Sequence, residues 1–274
     1  MPRSRMQLNG RRALVTGATG GLGQAIAREL ASRGCELTVT GRRDLELKRL
    51  VDELGPTTRG FTADLTNLDE VRDVMDRAGP VDLLVANAGV GIPHDLAMLS
   101  DIEIEEAIRI NLLAPAALAR AALAPMMQRG QGHIVFISSG AGLIATPGNG
   151  TVYTATKWGL RGLGLALRQE LYGTRVGVST IFPGPIRDAG MLADTGVALP
   201  RGFSTSSPQD VARAVVRAIE QDKPETTVAS ASVRLLVAVG AVAPVRIGEL
   251  ARLAGVGRVR DAMLGRVEPV RADR

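Results

Sequence analysis

The sequence predicts an α/β protein with one doubly wound sheet of about seven parallel strands, helices on both faces of that sheet, and a C-terminal helical extension. Two observations favour this fold class. Short apolar segments that end in glycine or polar residues alternate with longer segments whose apolar residues recur at helical spacing. From residue 10 to about residue 230, these segments follow one another at intervals that suit right-handed crossovers between parallel strands.

The composition argues against a disulfide-stabilised protein and against a metal-binding protein. The 274 residues are 45% hydrophobic, which is enough for one large core. A single cysteine, Cys35, excludes an intramolecular disulfide and suits a reducing compartment, and we predict that it is a small buried hydrophobe. His94 and His133 have no His or Cys companion at ligand spacing, so we predict no metal site.

A formal net charge of +5 raises the question of nucleic acid. The arginines are interleaved with Asp and Glu and form no long basic run, which indicates a solvated surface and no nucleic-acid partner. Residues 1–9 are predicted to be a loose basic tail, and the apolar run that follows is too short for a signal peptide. No stretch reaches the roughly 18 apolar residues of a membrane span. We therefore expect a soluble, cytoplasmic protein.

The first predicted strand, 12–16, leads into a glycine-rich loop and then a helix. The loop contains Gly17, Gly20, Gly21 and Gly23. Glycines let the backbone approach a pyrophosphate, and a helix N-terminus offers free N–H groups and a positive dipole. A glycine string can be a mere tight turn, but its position between strand and helix predicts a dinucleotide site.

The end of the second strand, 36–40, bears on which nicotinamide cofactor binds. An acidic residue there would hydrogen-bond the ribose 2′-OH of NAD, but the sequence has Gly41, Arg42 and Arg43. A guanidinium matches a 2′-phosphate in geometry and charge, so NADP(H) is favoured over NAD(H). Alternatively, the two arginines only begin the next helix, or one of them alone contacts phosphate.

Later strands are predicted at 59–62, 81–86, 133–137 and 175–182, and polar residues follow several of them. Hydroxyl groups at the carboxyl end of a parallel strand lie where ligands bind in open sheets, and Ser139 follows 133–137. A long helical stretch from about 101 to 129 contains Asn111 among apolar residues. That amide is either a satisfied core group or a functional bend.

Tyr153 and Lys157 are four residues apart in a predicted helix that continues to about residue 172, so they share one face. A free Tyr has a pKa of about 10, and a cation about 4 Å away can stabilise the phenolate by several kcal/mol. Such a Tyr can exchange a proton with an alcohol or carbonyl near neutral pH. The pair could also be an ordinary solvated face, but only three of the 33 cationic residues are lysines.

Taken in order, these motifs resemble the short-chain dehydrogenases/reductases. The resemblance covers about 10–230, and it implies that this segment is a Rossmann-type dinucleotide-binding catalytic domain, followed by the extension 231–274. It implies that Tyr153 is the general acid/base, that Lys157 lowers its pKa and holds the nicotinamide ribose, and that Ser139 binds the substrate oxygen. Asn111 matches the residue that holds a water in the proton relay. The implied cofactor residues are Gly17, Thr19, Gly20, Gly21, Leu22, Gly23, Arg42, Arg43, Asp64 and Leu65 beside the adenine, Asn87, Ala88, Gly89, Tyr153, Lys157, Pro183, Gly184 and Ile186.

Two departures from the family pattern bear on the substrate end of the site. Asp188 stands where the family often has Thr, which puts a cofactor contact there in doubt. The interval from Ser139 to Tyr153 is 14 residues, one more than in many members, and we place the extra residue in the loop 146–151.

Two segments are assigned to the substrate side. Residues 188–207 lack periodicity and, by the resemblance, form a lid whose apolar residues suggest an apolar pocket; ordinary loop packing is the alternative. The extension begins with an apolar run, 231–243, and continues with an amphipathic pattern beyond Pro244. It could cover the substrate cleft, pack on a neighbouring subunit, or lie through residues 231–264 in a membrane interface; we favour the first two.

These features predict an NADP(H)-dependent oxidoreductase that transfers a hydride between cofactor and a carbonyl or secondary alcohol, with a lipid-like, steroid-like or acyl substrate. The resemblance also implies a homodimer or homotetramer. Two alternatives are an NAD-dependent alcohol dehydrogenase of the same family and a non-catalytic NADP-sensing protein. The second alternative conflicts with the presence of both Tyr153 and Lys157.

Overall fold

The computed structural model describes residues 6–92, 94–146, 148–188 and 204–253. Within them, seven strands form one sheet in the order β3-β2-β1-β4-β5-β6-β7, and every pairing is parallel. The strands are β1 (Arg12–Thr16), β2 (Glu36–Gly41), β3 (Thr58–Thr62), β4 (Leu83–Ala86), β5 (Gly132–Ile137), β6 (Val176–Pro183) and β7 (Glu225–Val228). The predicted fold class is confirmed, and the six strands placed from the sequence agree with these bounds to within two residues.

Helices cover both faces of the sheet. They are α1 (Gly21–Ser32), α2 (Asp44–Leu54), α3 (Leu68–Ala78), α4 (Asp101–Ile108), α5 (Ala114–Arg129), α6 (Thr151–Glu170), α7 (Pro208–Gln221), α8 (Ala231–Val242) and α9 (Arg246–Leu253). Alternate strand residues face opposite sides, so Val15 packs in the core with α1, α2 and α7, while Leu14 packs in the core with α3, α5 and α6. The strand order reverses between β1 and β4, which opens a crevice at the carboxyl ends of the strands.

The long helix predicted at 101–129 contains one irregular turn. Between α4 and α5, Arg109–Leu113 forms a π-helical turn, so the chain stays helical but is locally wider. In such a turn the backbone hydrogen bonds join residues five apart instead of four, and these turns are frequent at functional sites. Asn111 lies in the middle of this turn and is completely buried.

Among the described residues, the same stretch, Asp101–Arg129, is the helix long and apolar enough to cross a bilayer. The sequence analysis predicted no membrane span because it looked for an unbroken apolar run. This helix qualifies because it is rich in Ala and Leu and contains few charged residues in its most apolar window. A core helix of a soluble protein passes the same test, and 44% of the most apolar window is buried inside the protein. Leu118 and Met126 of α5, both fully buried, pack against the sheet.

Helices α8 and α9 confirm the helical C-terminal extension. Ser230 caps α8, because its side chain accepts a hydrogen bond from Val233 N. The two helices pack on each other through Gly240 and Ile247, and Ile247 is fully buried. The division of the chain into domain and extension stays a prediction.

Candidate active site

A cavity of about 880 Å³ lies at the carboxyl ends of the strands, where the sheet topology opens the crevice. Seventeen of the eighteen cofactor residues expected from the sequence line it: Gly17, Thr19, Gly20, Gly21, Leu22, Gly23, Arg42, Arg43, Leu65, Asn87, Ala88, Gly89, Tyr153, Lys157, Pro183, Gly184 and Ile186. Ser139 also lines the cavity, whereas Asp64 and Asn111 are not among its lining residues. Residues far apart in sequence therefore meet at one edge of the sheet.

The glycine loop forms a cradle that side chains would fill. Gly17 has φ +64°, and a Cβ built on it would lie 2.8 Å from the Cα of Ala88. A Cβ on Gly23 would lie 2.2 Å from the carbonyl oxygen of Gly17. These two glycines are required by close packing, which keeps backbone atoms at the cavity wall. A loop of this shape fits a pyrophosphate.

The N-terminus of α1 also lies at the cavity, and no side chain caps it. Gly20 is its N-cap, and its first turn has no acidic residue. By contrast, α3, α4 and α7 are capped by Asn67, Ser100 and Ser207. The free N–H groups and positive dipole end of α1 thus face the cavity and suit an anion.

Two hydrogen-bond pairs hold the loop in place against β4. Thr16 Oγ1 accepts hydrogen bonds from the N–H groups of Asn87 and Ala88, each at 3.1 Å. The Asn87 amide donates to the carbonyl oxygens of Thr16 at 2.9 Å and Gly17 at 3.2 Å. Asn87 therefore fixes the glycine loop, in addition to lining the cavity.

The two arginines after β2 have different surroundings. Arg43 donates a hydrogen bond to the Thr19 carbonyl oxygen and lies 3.6 Å from Glu46. Arg42 is exposed at the cavity and has no hydrogen bond or ion pair with the residues that the structure describes. Arg42 is thus available to an anionic ligand, and Arg43 is already engaged.

Tyr153 and Lys157 lie on α6 at the base of the cavity. Burial raises the pKa of the Tyr153 phenol, and a hydrogen bond with Ser139 opposes that increase. Lys157 is 4% exposed, and burial lowers its pKa to about 8. Its Nζ donates to the Ile137 carbonyl oxygen at 3.1 Å and lies 5.6 Å from the centre of the Tyr153 ring. Burial is the larger of the two effects on the Tyr153 pKa, so Tyr153 is a protonated acid at neutral pH.

The two serines after β5 have different partners. Ser138 is buried, and its Oγ donates to the Lys157 carbonyl oxygen at 3.0 Å, which fastens α6 to the strand. Ser139 lines the cavity and faces Tyr153. Of the two serines, Ser139 is therefore the one that a ligand in the cavity can reach, and its contact with the substrate oxygen stays a prediction.

Asn111 was expected to be either a satisfied core amide or part of a functional bend. Its Oδ1 accepts from Val90 N at 2.9 Å, and its Nδ2 donates to Val90 O at 2.9 Å and Thr156 Oγ1 at 3.2 Å. The amide is thus satisfied, and it also lies in the π-helical turn. A Cβ on Gly89 would lie 2.9 Å from this Oδ1 and 3.3 Å from Lys157 Nζ, so Asn111 and the lysine lie close together. Its part in a proton relay stays a prediction.

Asp64 faces the chain that follows it. Its Oδ1 accepts from Thr66 N at 3.0 Å and Thr66 Oγ1 at 2.9 Å, while its neighbours Ala63 and Leu65 line the cavity. The adenine contact assigned to Asp64 stays a prediction. No group of three or more His, Cys, Asp or Glu side chains arranged to hold a metal is found among the described residues.

Helix α8 supplies lining residues that the sequence analysis did not identify individually. Val233, Leu236 and Val237 form an apolar wall of the cavity, next to Ile144. The apolar run 231–243 was the available signal, and cover over the cleft was one of its three interpretations. Asp188 also lines the cavity, at φ 65°, and its carboxylate lies 3.6 Å from Arg187. The apolar residues of the predicted lid, Met191, Leu192, Val197, Leu199 and Phe203, lie outside the described residues.

Comparisons with known proteins agree with this arrangement. A family model described as short chain dehydrogenase matches residues 11–197. Ketoacyl reductase HetN of Nostoc sp. is 36% identical over 261 residues, which cover 91% of each chain. The 3-oxoacyl-[acyl-carrier-protein] reductase FabG of Rickettsia felis is 34% identical over 182 residues, or 66% of this chain and 75% of that protein. The solved structure of a metagenomic short-chain oxidoreductase in complex with NADP has a TM-score of 0.67 and 33% identity, covering 81% of this chain and 98% of that one.

Proposed function

Because this chain belongs to the short-chain dehydrogenase/reductase family of oxidoreductases, we propose that it reduces a carbonyl group of an apolar, acyl-type substrate with NADPH. In the reverse direction it oxidises the corresponding secondary alcohol with NADP⁺. The observation that carries the proposal is the meeting of Ser139, Tyr153 and Lys157 at the base of one cavity. When bound, NADPH supplies the hydride to the carbonyl carbon.

Tyr153 supplies the proton. Its raised pKa keeps the phenol protonated at neutral pH, so it can donate to a carbonyl oxygen as negative charge develops there. Ser139 positions that oxygen by a second hydrogen bond. Lys157, with a pKa of about 8, is mostly charged at pH 7, and its charge favours the phenolate that remains after proton transfer.

Arg42 supports NADP(H) over NAD(H). An exposed guanidinium without a partner among the described residues, at the end of β2, can pair with a 2′-phosphate. The uncapped N-terminus of α1 would bind the pyrophosphate of the cofactor. The related metagenomic oxidoreductase was solved in complex with NADP, which is consistent with this assignment.

The apolar wall of α8 supports the substrate class. Val233, Leu236 and Val237 are alkyl side chains, so a hydrocarbon chain placed against them is removed from water. The names of two relatives refer to ketoacyl and 3-oxoacyl reduction, which is chemistry of the same class.

We also infer a homo-oligomer. Met127 of α5 and Trp158 and Leu165 of α6 are 46%, 42% and 40% exposed. Large apolar side chains on two neighbouring helices suit a contact between copies. Light scattering of the purified chain measures its mass directly.

The proposal is tested by following nicotinamide absorbance with NADPH and a series of 3-oxoacyl thioesters of increasing chain length. Turnover that rises with chain length is expected, because longer chains reach the apolar wall. Tyr153→Phe is expected to lower kcat by about 100- to 10,000-fold, since it removes the proton donor. Its affinity for NADPH, measured by fluorescence titration, is expected to stay within about twofold of the wild type.

The result that contradicts the mechanism is a Tyr153→Phe enzyme that retains wild-type turnover. Tyr172→Phe is the matched control, because Tyr172 is 84% exposed and remote from the cavity lining. Its activity is expected to equal that of the wild type.

A further inference from the structure

Helix α8 is apolar on two opposite sides, and the residues that the structure describes cover only one of them. The inner side carries Val233 and Leu236 into the cavity wall. The outer side carries Leu235, Ala238 and Val242, which are spaced three and four residues apart and therefore share one face. Leu235 is 67% exposed and Val242 is 85% exposed. We call these three residues the outer stripe.

A row of exposed alkyl side chains on a helix often marks a surface that contacts another protein or a membrane. The chain after α8 carries further exposed apolar side chains, because Val245 is 80% exposed and Leu253 at the end of α9 is 85% exposed. Among the residues that the structure describes, none covers Leu235 or Val242.

Charge is concentrated in the same part of the sequence. Residues 231–274 contain eight arginines and four acidic residues, so this segment holds a net charge of +4 out of the +5 of the whole chain. Arg234 lies beside the outer stripe and has no hydrogen bond or ion pair from its side chain to the described residues. The occupant must therefore complement both alkyl side chains and positive charge.

From these observations we propose that α8 docks through the outer stripe on a bilayer that contains anionic phospholipids. Leu235 and Val242 enter the boundary between headgroups and acyl chains, and Arg234 pairs with lipid phosphate. A second copy of the chain suits the surface less well, because a symmetric contact would add a second Arg234, and so a like charge, at the same stripe. Since the inner side of the same helix lines the cavity, docking places that cavity wall next to the lipid phase.

The test is co-flotation of the full chain with vesicles of phosphatidylcholine alone and of phosphatidylcholine mixed with phosphatidylglycerol. Binding is expected on the mixed vesicles, weaker at high salt because salt screens the charge attraction. A Leu235→Glu/Val242→Glu variant is expected to lose at least about tenfold in binding, since two carboxylates must enter the apolar boundary. Leu45→Glu is the matched control: Leu45 is 68% exposed on α2, and this variant is expected to bind like the wild type.

Arg234→Glu, which leaves the outer stripe intact, is expected to lose several-fold in binding to the mixed vesicles, so the proposal remains testable if the double variant folds poorly. The measurement needs no turnover and is independent of the proposed function. The proposal is overturned if the wild type binds neither vesicle, or if the double variant binds as the wild type does. If the wild type binds no vesicle and forms an oligomer in light scattering that the double variant does not form, the stripe is an interface between copies and the proposal is overturned.

Discussion

The two walls of the cavity are built in different ways. The sheet-edge wall consists of backbone, glycines and polar side chains held by buried strands, and Thr19 and Lys157 in it are 6% and 4% exposed. The α8 wall consists of alkyl side chains on a helix whose other side is exposed, as Leu235 is 67% exposed. Proton transfer and phosphate binding need atoms fixed to a fraction of an ångström, which dense packing provides. An alkyl wall needs only shape, so it can be carried by a peripheral helix.

After Tyr153, the largest effect is expected at Lys157 in the sheet-edge wall. Lys157→Met removes the charge beside Tyr153 and is expected to lower kcat by about 100-fold or more. It also removes a buried amine whose pKa falls from 10.5 to about 8 on folding. Each pKa unit corresponds to about 1.4 kcal/mol, and the lost hydrogen bond to Ile137 offsets part of the gain. Below pH 8 the free energy of unfolding of the variant is therefore expected to exceed that of the wild type by about 2 to 3 kcal/mol.

That stability difference depends on pH in a defined direction. Because the folded-state pKa lies below the unfolded value, the unfolded chain binds more protons between pH 8 and 10.5, and wild-type stability rises with pH across that window. The advantage of Lys157→Met is therefore expected to shrink as pH rises from about 8 towards 10.5, as measured by urea unfolding. A pH-independent difference would show that Lys157 is not buried in its charged form.

The next effect is expected in the glycine cradle. Gly23→Ala places a Cβ 2.2 Å from Gly17 O, so loop and helix must separate. A loss of about 1 to 3 kcal/mol in stability is expected from such overpacking, together with weaker NADPH binding. Gly162→Ala on α6 is the control, because its Cβ meets no atom within 4 Å, and it is expected to stabilise the protein by up to about 1 kcal/mol. Equal effects of the two substitutions would contradict the close packing of the cradle.

A smaller effect is expected at Arg42. Arg42→Ala removes the exposed guanidinium at the cavity and is expected to raise the KM for NADPH by about 10- to 100-fold while leaving that for NADH nearly unchanged. Arg49→Ala, an exposed arginine on α2 that does not line the cavity, is the control. A parallel loss with both cofactors would point to a general role of Arg42 in the loop.

The smallest effect is expected in the α8 wall. Leu236→Ala shortens an alkyl side chain that lines the cavity, so kcat/KM is expected to fall about 3- to 10-fold for long-chain substrates and little for short ones. Leu235→Ala, on the outer side of the same helix, is expected to change neither value. If both substitutions act alike on all chain lengths, α8 does not select the substrate by direct contact.

The sequence by itself determined the elements and motifs that depend on neighbours in the chain. Gly17 to Gly23 between a strand and a helix, and Tyr153 four residues before Lys157, carry their meaning in local spacing, because strand, turn and helix periods act over a few residues. For that reason six strands were placed to within two residues. The eighteen cofactor residues were implied by the family resemblance that these motifs carry, and seventeen of them line the cavity.

The tertiary structure decided everything that depends on partners distant in sequence. It paired Asn111 with Val90, turned Asp64 towards Thr66, and brought α8 to the cavity from 231–242, beyond the segment matched by the family model. It also set the direction of the Tyr153 pKa, which the spacing to Lys157 predicted to fall and which burial raises. Desolvation and long-range contact depend on how the whole chain packs, and local residue spacing contains neither.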